Sequence, residues 1–288
     1  MTHIYRTTSA NRLDKNSFAY KLYQKAKKFG IWNPEDIDLK KDHTDWNNLN
    51  EIEKDVILRL TAMFQAGEES VTEHILPLIS VIAERKELEE EMFLTTFLFE
   101  EAKHTEFFSR FLDEVAEDKT DLTKYHSENY KALFYHELPI AMNNLRNDNS
   151  NKALVNASTT YNMIVEGILA ETGYHAYFSM LKRNGIMPGM QEGISLLKRD
   201  ESRHIAYGVY LLAKLIKSDS SLFEFIEERM NSLLPLALGI INEIFESYDE
   251  MPFGLQIDDF VSFAMDQFNK RFEKLEKAKT GILDFNEE

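Results

Sequence analysis

An all-α fold is what this sequence predicts, and three observations carry the prediction. Glycine and proline are scarce, at 11 and 6 of 288 residues, while helix-forming residues dominate. Apolar residues recur at helical spacing: Ile57, Phe64, Val71 and Leu78 form one seven-residue series, and Thr61, Glu68, Ile75 and Ile82 form its companion. No stretch has the Gly/Ser/Pro composition of a linker. A single domain over 1–288 is therefore the simplest organisation, with 1–47 wrapped on the body as an N-terminal segment and 281–288 as a frayed tail.

Taken in order, a short helix is expected at 18–29, followed by an irregular segment containing Trp32, Pro34 and Trp46. A long helix spans 50–85. In it Glu68 faces the apolar seam, Glu69 and Glu73 point away from it, and Pro77 introduces a kink. The next helix covers 88–115 with Leu94, Phe97, Glu101, His104, Phe108 and Phe111 inward, and the acidic run at 87–91 reads as its solvated start. A polar connection at 117–125 leads to a helix at 127–146, interrupted near Pro139, and a turn at 147–151. The helix at 152–183 carries Glu166 among Ile164, Ile168 and Leu169, and Asn184-Gly185 and Pro188-Gly189 break the chain before a helix at 190–217. Ser221 with Glu224 suggests a capping box for a helix ending near Tyr248, and a last helix spans 257–279.

Several function classes are disfavoured by composition. A net charge of −16 opposes general binding to a phosphate backbone. The absence of cysteine excludes disulfides, thiolate ligands and Cys nucleophiles. The longest apolar runs, 75–83 and 233–241, fall well short of the roughly 20 residues of a membrane span. Residues 1–14 lack a signal-peptide apolar core, so a cytoplasmic, non-membrane-spanning protein is expected.

The chemistry concentrates in two echoing stretches. Glu101-Ala102-Lys103-His104 and Glu201-Ser202-Arg203-His204 each place a carboxylate and an imidazole three residues apart on one helical face. Both faces are otherwise apolar, where an unpaired carboxylate is costly unless something such as a metal ion satisfies it. One Glu-x-x-His is weak, since chance alone yields roughly one in a chain of this length. Each, however, follows another seam glutamate at similar separation: Glu68 precedes Glu101 by 33 residues and Glu166 precedes Glu201 by 35. Four Glu and two His suit a pair of iron or manganese ions. A helical bundle projects such a set inward from four helices, as ferritin-like carboxylate proteins do. His74, His136 and His175 have no matched seam carboxylate and read as structural.

With these residues in view, the chain resembles the ribonucleotide reductase small-subunit superfamily, within the ferritin-like proteins. The resemblance implies a metal set of Glu68, Glu101, His104, Glu166, Glu201 and His204. It makes Asp200 the acid that orients a metal-bound His, and Trp32 part of the segment that carries the reductase electron-transfer Trp. Phe108 stands where reductases place a radical-forming Tyr. That departure, with Glu68 as first ligand, is similar to the ligand-binding oxidases of the superfamily. The resemblance to these oxidases implies O₂ activation at a mixed manganese/iron site (di-iron as the variant), a bound long-chain fatty acid, a homodimer, and a tyrosine–valine ether cross-link between Val71 and Tyr161. A reductase small subunit and an iron-storage protein are the competing expectations.

Overall fold

The computed structural model describes residues 5–281 and Phe285, and among these every regular element is helical. The frayed tail expected at 281–288 lies mostly outside the described residues, and so does the start of the N-terminal segment. The elements are α1 (Phe18–Phe29), α2 (Lys40–Asn48), α3 (Glu51–His74), α4 (Leu76–Glu84), α5 (Leu88–Phe111), α6 (Glu128–Lys131), α7 (Leu138–Asn144), α8 (Asn151–Ser158), α9 (Glu171–Tyr177), α10 (Pro188–Ser218), α11 (Leu222–Glu246) and α12 (Ile257–Lys279). Short π-helical stretches at Leu112–Ala116, Ala132–Glu137, Thr159–Ala170 and Phe178–Lys182 join several of them without a break.

Four segments build the centre: α3, α5, the π segment Thr159–Ala170 and α10. α3 packs on α5, and the π segment packs on α10 and is covered by α11 and α12. Caps fix where several helices begin. The Asn50 side chain accepts from the Glu53 amide while Glu53 reaches back to the Asn50 amide, a reciprocal pair that starts α3. Ser17 and Ser150 cap α1 and α8 in the simpler way.

Several sequence expectations need correction. The helix at 50–85 is two helices, α3 and α4, divided at Ile75; Pro77 sits in the first turn of α4, where its missing N–H costs nothing. The interruption near Pro139 is the π segment Ala132–Glu137, after which α7 continues with Pro139 in its first turn. The segment after α1 is not wholly irregular. It contains α2, whose buried Asp42 accepts from the Gly189 and Met190 amides and so caps the first turn of α10. This contact is remote in sequence, so no local pattern announces α2. Ser221 makes no capping bond and has helical backbone angles; its own amide and hydroxyl instead donate to Asp219, which withdraws it from the role.

The acidic run at 87–91 is only partly solvated. Glu89 and Glu90 are buried, 6% and 3% exposed. Glu89 accepts from Arg6 and from the Asp14 amide, which holds the N-terminal segment against α5. Glu90 accepts from Tyr207 and Lys214 on α10. No helix of the described residues is long and apolar enough to cross a membrane.

Candidate metal centre

The six residues singled out in the sequence converge. Glu68 comes from α3, Glu101 and His104 from α5, Glu166 from the π segment, and Glu201 and His204 from α10, and all six are buried. They form two overlapping groups, Glu68–Glu101–His104–Glu201 and Glu101–Glu166–Glu201–His204, each with ligand atoms within 4.8 Å of one another. His104 Nδ1 lies 3.6 Å from Glu101 Oε2, 3.3 Å from Glu201 Oε1 and 3.5 Å from Glu68 Oε2. His204 Nδ1 lies 3.1 Å from Glu101 Oε1, 3.4 Å from Glu201 Oε2 and 3.8 Å from Glu166 Oε1. Glu101 and Glu201 thus give one oxygen to each group, an arrangement suited to bridging two ions.

The donor set fits a metal pair. Glu101 Oε2, Glu166 Oε1, Glu201 Oε2, both nitrogens of His104 and His204 Nδ1 are buried without a hydrogen-bond partner. Native interiors leave few such atoms unpaired; all of these except His104 Nε2, which faces Asp200, are aimed into one cage, and five together point to cations that satisfy them. The cage could hold a dinuclear site.

Behind the cage the sequence resemblance points to Asp200 but not to Glu100, Lys103 or Arg203, although the signal is repeated. Glu100 precedes Glu101 as Asp200 precedes Glu201, and Lys103 precedes His104 as Arg203 precedes His204. The fold crosses these partners over. Glu100 Oε2 meets His204 Nε2 at 2.9 Å, whereas Asp200 Oδ2 lies 3.5 Å from His104 Nε2. Each acid therefore aims the other repeat's imidazole, with Nδ1 toward the cage. Arg203 donates to both Glu100 and Asp200, Lys103 donates to Asp200 at 3.2 Å, and Trp32 Nε1 donates to Asp200 at 2.7 Å. On the far side Asn162 Nδ2 donates to Glu166 at 2.8 Å, while Ser158 fixes Asn162.

Replacing Glu100 with Gln keeps the shape but removes the charge facing Arg203 and His204. Metal titration is expected to show affinity lowered about 10–100-fold, the usual cost of losing such a support.

The π geometry of Thr159–Ala170 matters to the site. In an α-helix Tyr161 and Glu166 stand about 1.4 turns apart; the wider π turn brings residues five apart back to nearly the same face. Accordingly the Tyr161 hydroxyl faces the cage and donates to Glu101 Oε1 at 3.4 Å. Val71 is 4% exposed and lines a cavity that Glu68, Glu101, Glu166 and Glu201 also line. Most of its other lining residues are apolar, among them Phe64, Met180, Ile240 and Phe260. Phe108 stacks on Phe64 at 5.0 Å and offers no hydroxyl. His74 bonds its own helix at Ser70, His136 is exposed and His175 stacks on Phe263, so none joins the cage.

Burial and mutual contact displace the protonation equilibria of the cage. Burial pushes the Glu68 carboxyl up to about 8 despite the nearby His104. Burial and then the Glu201 charge hold Glu166 well above the ordinary range. Burial disfavours charge on His104 and His204, yet the carboxylates around each ring outweigh it and raise both. Burial also opposes charge on Glu101, but the two imidazoles draw it down to about 2.

Without metal the folded cage therefore binds more protons than the unfolded chain between about pH 5 and 8. Glu68 and both imidazoles act in the same direction, so stability from these groups falls as pH rises through that window. Metal binding displaces the protons. Melting curves are expected to show Tm of metal-free protein declining from pH 5 to 8 more steeply than that of metal-loaded protein; parallel declines would contradict this.

Residues 11–279 match the family of the ribonucleotide reductase small chain. The chain belongs to that family. Among solved structures it is similar to an R2-like ligand-binding oxidase variant with an aerobically reconstituted Mn/Fe cofactor: identity is 38%, the match covers 95% of this chain and 99% of the other, and the TM-score is 0.91. A second variant of such an oxidase, reconstituted anaerobically with Mn/Fe, is 39% identical over 95% and 98% of the two chains, with TM-score 0.89. A third, carrying an Fe/Fe cofactor, is 38% identical over 95% and 99%, with TM-score 0.91. The family fold is thus an all-α, ferritin-like bundle, and these oxidases with dinuclear metal cofactors support an oxidoreductase.

Proposed function

We propose that this chain is an oxygen-activating oxidase in which Glu68, Glu101, His104, Glu166, Glu201 and His204 hold one manganese and one iron ion. The observation that carries the reading is the sharing of Glu101 and Glu201 between two groups of unpaired buried donors. Related oxidases containing Mn/Fe or Fe/Fe cofactors support it. When bound, such a pair supplies electrons for O₂ reduction and an oxidant able to attack an unactivated C–H bond.

The chain's own residues shape what that oxidant meets. The largely apolar cavity, lined also by the four cage carboxylates, suits a long-chain fatty acid, its tail along the Phe64, Ile240 and Phe260 walls and its carboxylate toward the ions. Val71 lines that cavity together with the carboxylates, and the Tyr161 hydroxyl donates to one of them, Glu101. Joining the Val71 β-carbon to the Tyr161 oxygen removes one hydrogen from each residue. The two electrons and two protons released go toward O₂ reduction. Phe108 cannot store an oxidising equivalent as a phenoxyl radical, which favours this reading over a reductase subunit.

The test is to load the protein with both metals in air, map its peptides and extract its lipids. The expected result is a joined Val71–Tyr161 peptide lighter by two hydrogens, with a fatty acid in the extract. Unlinked peptides from protein that has bound both metals and consumed O₂ would overturn the cross-link, and an empty cavity the ligand.

A further inference from the structure

Tyr207 stands outside the cage, three residues after His204 on α10, and no role described above uses it. It is fully buried. Its hydroxyl donates to Glu90 Oε2 at 3.0 Å, while Lys214 donates to Glu90 Oε1. Lys214 alone would satisfy the charge of a buried carboxylate, so the phenol is an additional partner placed on a base. Burial holds the Glu90 carboxyl above its ordinary range, making it a better proton acceptor than a solvated glutamate.

Aromatic rings in succession connect this pair to the cage. Phe97 stacks on His204 with centroids 3.6 Å apart and planes 8° from parallel, and lies 5.8 Å from the Tyr161 ring. Phe93 follows at 6.0 Å from Phe97, then Tyr207 at 5.2 Å from Phe93. Tyr210 is 6.4 Å beyond Tyr207 and is only half-buried. Phenylalanine is too hard to oxidise to hold a hole itself, but rings at these separations let an electron tunnel between the groups on either side. A tyrosine gives up an electron readily when its proton has a base within hydrogen-bond reach. Tyr207 meets both conditions.

We propose that Tyr207 is a redox-active residue that drains unused oxidising equivalents from the cage, with Glu90 as its proton acceptor and Tyr210 as its outlet. This rests on the reading of the cage as an oxygen-activating centre. In the step, Tyr207 passes one electron across Phe93 and Phe97 to the oxidised centre, which is reduced by one electron. The phenolic proton moves to the Glu90 carboxylate, leaving a neutral phenoxyl radical. A one-electron reductant of the thiol or phenol class, reaching the Tyr210 face, restores Tyr207, and Glu90 returns the proton.

The experiment uses the full-length Tyr161→Phe protein, in which the cross-link cannot consume the oxidant, labelled with ring-deuterated tyrosine and loaded anaerobically with manganese and iron. It is mixed with O₂, freeze-quenched and read by electron paramagnetic resonance, while absorption follows oxidation of the centre. A tyrosyl signal narrowed by the label is expected. That signal should be lost when Tyr207→Phe is added and diminished when Glu90→Gln is added instead. A tyrosyl signal unaffected by Tyr207→Phe, for example from Tyr174, whose buried hydroxyl has no partner, would overturn the proposal. So would a fully oxidised centre with no tyrosyl signal. Protein whose absorption never changes would overturn the oxidase reading, and this proposal with it.

Discussion

Glu201→Ala is expected to deprive the protein of both metal ions at once. Glu201 Oε1 faces His104 and Oε2 faces His204, so one truncation removes a donor from each half of the cage. Losing a support behind a ligand already costs about 10–100-fold in affinity, and losing a shared ligand from both sites should exceed the upper end of that range. Glu68→Ala and Glu166→Ala offer the contrast, because each belongs to a single group. Each should leave one ion bound more tightly than the other. Metal content after dialysis, with circular dichroism to verify the fold, distinguishes the two patterns.

Tyr161→Phe is expected to abolish the cross-link completely while leaving metal uptake intact. The Tyr161 hydroxyl makes one long bond, 3.4 Å to Glu101, so its removal should cost no more than about 1 kcal/mol of stability. Burial and then the Glu101 charge raise its pKa well beyond the ordinary phenol value. It therefore stays protonated at working pH and yields its proton only together with an electron. Peptide mapping after aerobic loading checks the outcome. A linked product in this variant would show that another residue supplies the oxygen.

The cage was legible because two kinds of regularity coincide in the sequence. Seam periodicity places Glu68, Glu101, His104 and Glu201 on apolar faces, and the repeat of about a hundred residues pairs them. The supports were only half legible. Asp200 was visible beside Glu201, but Glu100 and Arg203 gain their meaning from a crossing of α5 and α10 that no local pattern shows. The same holds for α2, fixed by Asp42 on a distant helix start, and for Glu90, whose burial depends on Lys214 and Tyr207 from α10. The π segment was hidden for another reason. Periodicity arguments presuppose 3.6 residues per turn, and Thr159–Ala170 departs from it where Tyr161, Asn162 and Glu166 must share a face.

Element analysis of the purified, air-loaded protein tests whether one buried cage holds a metal pair. Two ions per chain are expected, one manganese and one iron, both lost in Glu201→Ala. A wild-type protein that retains neither ion after dialysis, or whose ions persist in Glu201→Ala, would contradict this.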